Sequence, residues 1–355
     1  MSTLTATPFE KRIRNAWSGR ISGCQLGKPV ERLSMRDGYS ELQTYLSQTA
    51  ALPLRDYIPW SEHPLVQKEC CREFLQRSEP DDDINYSVLA LMMLEEKGLH
   101  LATIDVARFW LRWLPAASTF TAERAAYRTL MQHGAEWFAE GARPGFDLAI
   151  CSDNRYNDWI GAQIRTDVYG WVLPGNPLRA AELARQDAAL SHRGDGVYGA
   201  VFIAALGAAL ADRTPEAALQ VALGFLPVDS GAAQAVRLGF SLAGQNDGGA
   251  VIRETYKDLS PVHTLNNLAI VVWALYSHLH DFGAAIGDAV AAGLDTDCNG
   301  ATVGGLWGLL GDSIPARWTA PWQCRVGVSL AGMSELNLDS LIGRTIAVAE
   351  QLRGR

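Results

Sequence analysis

Apolar residues recur at helical spacing along most of the chain. Phe9, Ile13, Ala16 and Trp17 follow the 3.6-residue period and predict a helix over Phe9–Gln25 that ends near Leu26. Pro29 disfavours helical geometry at Lys28, which places Glu31 on a following loop. Residues 33–62 contain Pro53 and Pro59 and sustain no period, so they read as a long excursion with short helical pieces; Leu65–Leu75 is a candidate short helix. An apolar stretch at Ile84–Leu94 follows a proline and three aspartates, a strong helix start. Thr103–Trp113 and Ala122–Met131 are amphipathic, with Phe109, Trp110 and Trp113 assigned to the core, and residues 141–158 read as a loop rich in Gly, Pro, Asn and Asp. A helix over Pro177–Leu190 leads through the turn Ser191–Gly196 into Val197–Leu210. That stretch is apolar on every side and must be surrounded by other helices. Further helices are expected at Pro215–Leu226, Ser230–Leu242, His263–His278, Gly283–Ala292, Ala301–Leu310 and Leu336–Leu352. Alternating β-branched strand signals are nearly absent, and no repeat of roughly 20–50 residues is visible. The expected fold is all-α: one compact domain over residues 1–355, an orthogonal bundle of about a dozen helices.

Gly19, Gly23 and Gly27 recur every four residues and line one face of the first helix, where another backbone or a ligand can approach closely. Composition narrows the function. The net charge of −8 offers no basic face for nucleic acid. Six cysteines with no C-x-x-C spacing, two of them adjacent at Cys70 and Cys71, fit a reducing compartment. The first residues are polar and charged rather than a signal-peptide core, and the longest uncharged apolar run, Val197–Ala211, is too short for a confident membrane span. A cytoplasmic protein with no membrane partner is expected.

The candidate chemistry lies in two acidic runs at helix mouths. Asp81, Asp82 and Asp83 precede one apolar helix; Asp295 and Asp297 flank Thr296 ahead of another. Acidic side chains are favoured at helix N-termini by the unpaired N–H groups, so capping explains either run taken alone. If the runs converge, like charges in one small volume cannot all stay ionised without a cation, and an all-oxygen cluster suits Mg²⁺, Mn²⁺ or Ca²⁺ rather than zinc. Between the runs, Gln163 and Arg165 stand among apolar neighbours. A half-buried Arg165 requires either a structural carboxylate or an anionic ligand. His192, just ahead of the apolar helix, is open to a structural role as well.

Read in order, these positions resemble the ADP-ribosylglycohydrolase family. The resemblance rests on Gly19-x3-Gly23-x3-Gly27-x-Pro29-x-Glu31, the run Asp81–Asp83, Ser191-His192 before an alanine-rich helix, and above all Asp295-Thr296-Asp297-Cys298-Asn299-Gly300-Ala301-Thr302-Val303-Gly304. It implies an all-α fold and a centre of two Mg²⁺ ions, with Mn²⁺ as a substitute. Asp82, Asp295 and Asp297 would be ligands, Asp81 and Asp83 additional or bridging ones. Glu31 and Asp82 would carry acid-base work, and Arg165 and His192 would position phosphate or ribose. The implied substrate-contacting set also includes Gly27, Gln163, Asn299 and Gly300. The chain departs from the family's Thr-Asp-Asp-Thr pattern at Pro80–Asp83 and carries Cys298 where a threonine ligand is usual. The implied activity is cation-dependent hydrolysis of an ADP-ribosyl or other ribosyl linkage, with a modified protein among the substrates. Hydrolysis of a smaller nucleoside-like metabolite is an alternative, and so is a non-catalytic, crystallin-like binder, although all five aspartates are present.

Overall fold

The computed structural model describes residues 7–133 and 143–353. Within them the first helix, α1 (Pro8–Gly27), opens on a Thr7/Glu10 capping box and is followed by a 3₁₀ turn at Lys28–Val30 and by α2 (Glu31–Gln48). Two expectations fail here. Lys28 keeps right-handed helical angles although proline follows it, and Glu31 begins a helix rather than standing on a loop. Much of the expected excursion over 33–62 is therefore helical, bent at Gly38, where φ is +85°. Leu65–Leu75 forms only the 3₁₀ turn Lys68–Cys70.

The middle of the chain follows the expected order, with one short helix added at Asp167–Val172 that no period predicted. It runs through α3 (Asp82–Lys97), α4 (Thr103–Trp113), α5 (Thr121–His133), α6 (Asp167–Val172), α7 (Pro177–Ala188), α8 (Gly194–Ala209), α9 (Pro215–Leu223) and α10 (Gly231–Ser241). Residues 141 and 142 of the expected loop lie outside the described residues, and the rest of it contains one 3₁₀ turn, Leu148–Ser152. The chain closes with α11 (Gly248–Thr255), α12 (Thr264–Ser277), α13 (Phe282–Ala291), α14 (Thr296–Gly308), α15 (Ala316–Thr319) and α16 (Leu338–Arg353). Ahead of α16 stands an unexpected antiparallel hairpin of β1 (Arg325–Leu330) and β2 (Met333–Asn337), pairing Val326 with Leu336. Among the described residues no helix is long and apolar enough to cross a membrane. α8 is buried along nearly its whole length, as its apolar sequence requires.

The relationship that organises the site is the antiparallel packing of α1 on α14. A Cβ added to Gly19, Gly23 or Gly27 would stand 2.1, 1.9 or 2.2 Å from the carbonyl oxygens of Gly304, Gly300 and Thr296. No side chain other than hydrogen fits at these contacts, so the four-residue glycine period is a backbone-to-backbone seam. The Thr296 hydroxyl donates to the Gly27 carbonyl at 2.8 Å and locks the end of the seam. The C-terminus of α1 and the N-terminus of α14 thus meet.

Candidate active site

The next stripe of α1, one residue on from the glycines, holds the other acidic run. Arg20 donates to the Asp83 carbonyl at 2.9 Å and carboxylate at 3.0 Å, and to Asp167 at 2.9 Å. Lys28 forms an ion pair with Asp81. Gln25 clamps the backbone of Glu79, donating to its carbonyl at 3.1 Å and accepting from its N–H at 2.9 Å. One helix therefore docks α14 through its glycines and α3 through its polar side chains. The two acidic runs converge at its C-terminal end, where α2 adds Glu31.

These residues form the floor of a cavity of about 540 Å³. Glu31, Asp81, Asp82, Asp295, Asp297 and Cys298 line it from three helix starts. Its upper wall carries Phe120, Glu123, Trp159, Ile160 and Val262. Trp159 and Ile160 are held in that wall by pairing with His263 and by the Ile160 N–H donating to the Val262 carbonyl at 3.0 Å. Asn299 donates to the Asn267 side-chain oxygen at 2.8 Å, and that oxygen also accepts the Asp295 N–H at 3.2 Å, which fixes the start of α14. Leu294 just before it adopts φ +63°, a left-handed conformation that costs a non-glycine residue roughly 1–2 kcal/mol.

The electrostatics are those of crowded acids. Glu31, Asp295 and Asp297 offer ligand atoms within 4.8 Å of one another, as do Asp83, Asp297 and Cys298. Burial first, then the charge of Asp297, raises the Glu31 carboxyl well above its usual range; burial and then Asp81 do the same to Asp82. Burial followed by Asp297 raises Asp295, and burial followed by Asp81 raises Asp297 to about 6. Burial also pushes Asp81 upward, but the Lys28 ammonium prevails and holds it below the ordinary value. One side-chain oxygen each of Asp83, Asp295 and Asp297 is buried without a hydrogen-bond partner. A buried ionised acceptor with no donor is costly, and a divalent cation is the group that relieves several at once. The residues fit a metal centre, and a cation there suits hard oxygen donors at Glu31, Asp295 and Asp297.

Other residues marked out by the sequence lie away from the cavity wall. Gly27 and Gly300 belong to the helix seam, and Asn299 anchors Asn267. Arg165 is occupied by Glu123 at 2.7 Å and Asp187 at 2.8 Å, so it has structural carboxylates rather than a vacant anion site. His192 is buried, with Nδ1 2.8 Å from the Ser191 hydroxyl, and burial followed by the Arg165 guanidinium holds it well below its usual pKa. Gln163 is buried with both amide atoms unpartnered. Lys28, Glu123 and Trp159 line the cavity without having been singled out as site residues. For Lys28 the four-residue step from Arg20 through Cys24 was the available signal.

A family model described as ADP-ribosylglycohydrolase matches residues 5–344. A solved structure described as "ADP-ribosylglycohydrolase-related protein complex" is similar over 96% of this chain and 99% of its own, with 18% identity and a TM-score of 0.58, a likeness of fold. No curated protein matches the chain.

Proposed function

Since the chain belongs to the ADP-ribosylglycohydrolase family and is a glycosidic-bond hydrolase, we propose that it cleaves an ADP-ribosyl linkage, releasing ADP-ribose, and that Mg²⁺ or Mn²⁺ is required. The observation that carries this reading is the unpartnered pair of buried carboxylate oxygens on Asp295 and Asp297, beside Glu31 in the cavity floor. When bound there, a divalent cation supplies Lewis-acid polarisation and lowers the pKa of a water.

The chain's own groups perform the remaining work. Departure of the leaving group develops positive charge at the ribose C1, and the carboxylates of the cavity floor stabilise that charge. Glu31 lines the cavity, and burial followed by the charge of Asp297 raises its proton affinity in the metal-free protein, which suits it to exchange a proton with a reacting oxygen. Asp82 faces the same space and shares that role. Phe120, Trp159 and Val262 give the upper wall apolar surface against which a substrate can pack. Arg165 and His192 act as positioning residues through Glu123, whose carboxylate lies 2.7 Å from the Arg165 guanidinium and 3.8 Å from the His192 imidazole.

The test is incubation with ADP-ribosylated protein and with free ADP-ribosyl compounds, with and without Mg²⁺, followed by mass analysis. Release of ADP-ribose that stops with EDTA is expected. Release indifferent to EDTA overturns the cation requirement, and no release from any of these substrates overturns the activity.

A further inference from the structure

We propose that two unlike cation subsites lie at and just beneath the cavity floor, an all-oxygen one at Glu31, Asp295 and Asp297 and a thiolate one at Asp297, Cys298 and the fully buried Asp83 that selects Zn²⁺ over Mg²⁺. The proposal rests on the reading of the cavity as a cation site and adds to it which ion the second position takes.

Each triad brings its ligand atoms within 4.8 Å, and Asp297 belongs to both. The donors differ in hardness. Mg²⁺ demands near-ideal octahedral oxygen coordination and retains water, whereas a thiolate favours zinc and other softer ions. Asp83 points to a ligand independently of the cysteine. One of its oxygens is taken by Arg20, while the other is fully buried with no donor. Asp297 likewise keeps a buried oxygen without a partner. Cys298 lines the cavity, so an ion reaches its Sγ from solvent, and the S–H proton leaves to water as the bond to the ion forms.

Cys24 makes a third group with Asp81 and Asp83 but is a poorer candidate. It is fully buried away from the cavity, and Asp81 is already neutralised by Lys28. Selection therefore falls on Cys298 alone.

The test uses the full-length protein stripped with EDTA and titrated with Co²⁺, whose bond to a thiolate gives a sulfur-to-cobalt charge-transfer absorption. That band is expected in the wild type and in Cys24→Ser, and absent from Cys298→Ser and Cys298→Thr. In competition, the wild type should retain Zn²⁺ on dialysis against excess Mg²⁺. Cys298→Thr should lose Zn²⁺ affinity by more than the roughly 10–100-fold typical of an outer-shell change, while Mg²⁺ binding holds or strengthens. Circular dichroism and melting of both Cys298 variants establish that they are folded, and if neither folds, blocking the thiol of the wild type must abolish the band. A missing band in the wild type, a band that survives loss of the Cys298 thiol, or equal retention of the two ions overturns the proposal. ADP-ribose release with Mg²⁺ but no band would overturn it while leaving the hydrolase reading intact; a Cys298-dependent band without release would do the reverse.

Discussion

Gly23 on α1 and Gly300 on α14 meet so closely that a Cβ on Gly23 would lie 1.9 Å from the Gly300 carbonyl oxygen. That contact sets the distance between the two helix ends that carry the acidic floor. The obstruction is backbone and cannot swing aside, so Gly23→Ala must part the helices. We expect a loss at the upper end of the roughly 1–3 kcal/mol typical of overpacking, or more. Whatever fraction still folds should bind Mg²⁺ more weakly. Chemical denaturation with and without Mg²⁺ measures both; unchanged stability would mean that the two helices can part at no cost.

The metal-free protein should lose stability as pH rises from acid to neutral. Asp297 is raised to about 6 by burial and then by Asp81, and burial raises Asp82 and Asp295 as well. An unfolded aspartate titrates near about 3.9, so between that pH and the folded value the native state binds more protons than the unfolded one. Stability from these groups is complete below about pH 4 and is lost as pH rises through their folded values. Each unit of elevation corresponds to about 1.4 kcal/mol. In EDTA the Tm should be higher near pH 5 than near pH 7.5, and Mg²⁺ should restore the loss, adding about 2.7 kcal/mol at a free concentration 100 times Kd. Asp297→Asn should flatten both responses. A Tm that climbs with pH in EDTA would contradict the crowded-acid account.

Arg165 offers a test of structural against ligand-binding roles. Arg165→Met leaves Glu123 and Asp187 buried without their guanidinium, and breaking a buried ion pair from one side costs about 3–5 kcal/mol. The expected result is a large fall in Tm that saturating ADP-ribose does not selectively worsen. A variant of wild-type stability with KM raised more than about tenfold, or roughly 1.4 kcal/mol of binding, would assign Arg165 to the substrate instead.

The helices with continuous periods were legible in the sequence because burial of one face is a local property of spacing. Thr103–Trp113 coincides with α4 to the residue. The glycine seam was legible as a close-approach face, though only the structure shows that α14 fills it. The parts that escaped are those where tertiary contacts overrule local preference. α2 hides its period because Gly38 bends it midway, splitting Leu33 from Leu42, Tyr45 and Leu46. Lys28 stays helical before Pro29 while its ammonium pairs with Asp81, a contact 53 residues away in sequence. The hairpin carries buried Val326, Val328 and Leu330 on β1, but β2 is Met-Ser-Glu-Leu-Asn, without β-branched residues to mark it. In the site, the convergence of two aspartate runs depends on Arg20, Gln25 and Lys28, whose partners no spacing reveals.

Glu31 is the residue whose role separates catalysis from architecture most sharply. It starts α2, faces the cavity, and shares the floor with Asp295 and Asp297. Glu31→Gln keeps the size and hydrogen-bonding capacity of the side chain but can neither give nor take the proton. Burial and the neighbouring Asp297 already disfavour its charge, so the neutral amide should cost the metal-free fold nothing and raise its Tm slightly at neutral pH. If Glu31 handles a proton in the reaction, kcat should fall by about 10²–10⁴, while the Tm gain from Mg²⁺ persists in reduced measure because Asp295 and Asp297 remain. A residue that merely caps the surface would shift stability by less than about 0.5 kcal/mol and leave the rate alone. Steady-state turnover of an ADP-ribosyl substrate, measured beside the Mg²⁺-dependent melting shift, distinguishes the two. Wild-type kcat in the variant would move the acid-base role to Asp82, another cavity-facing carboxyl whose proton affinity is raised.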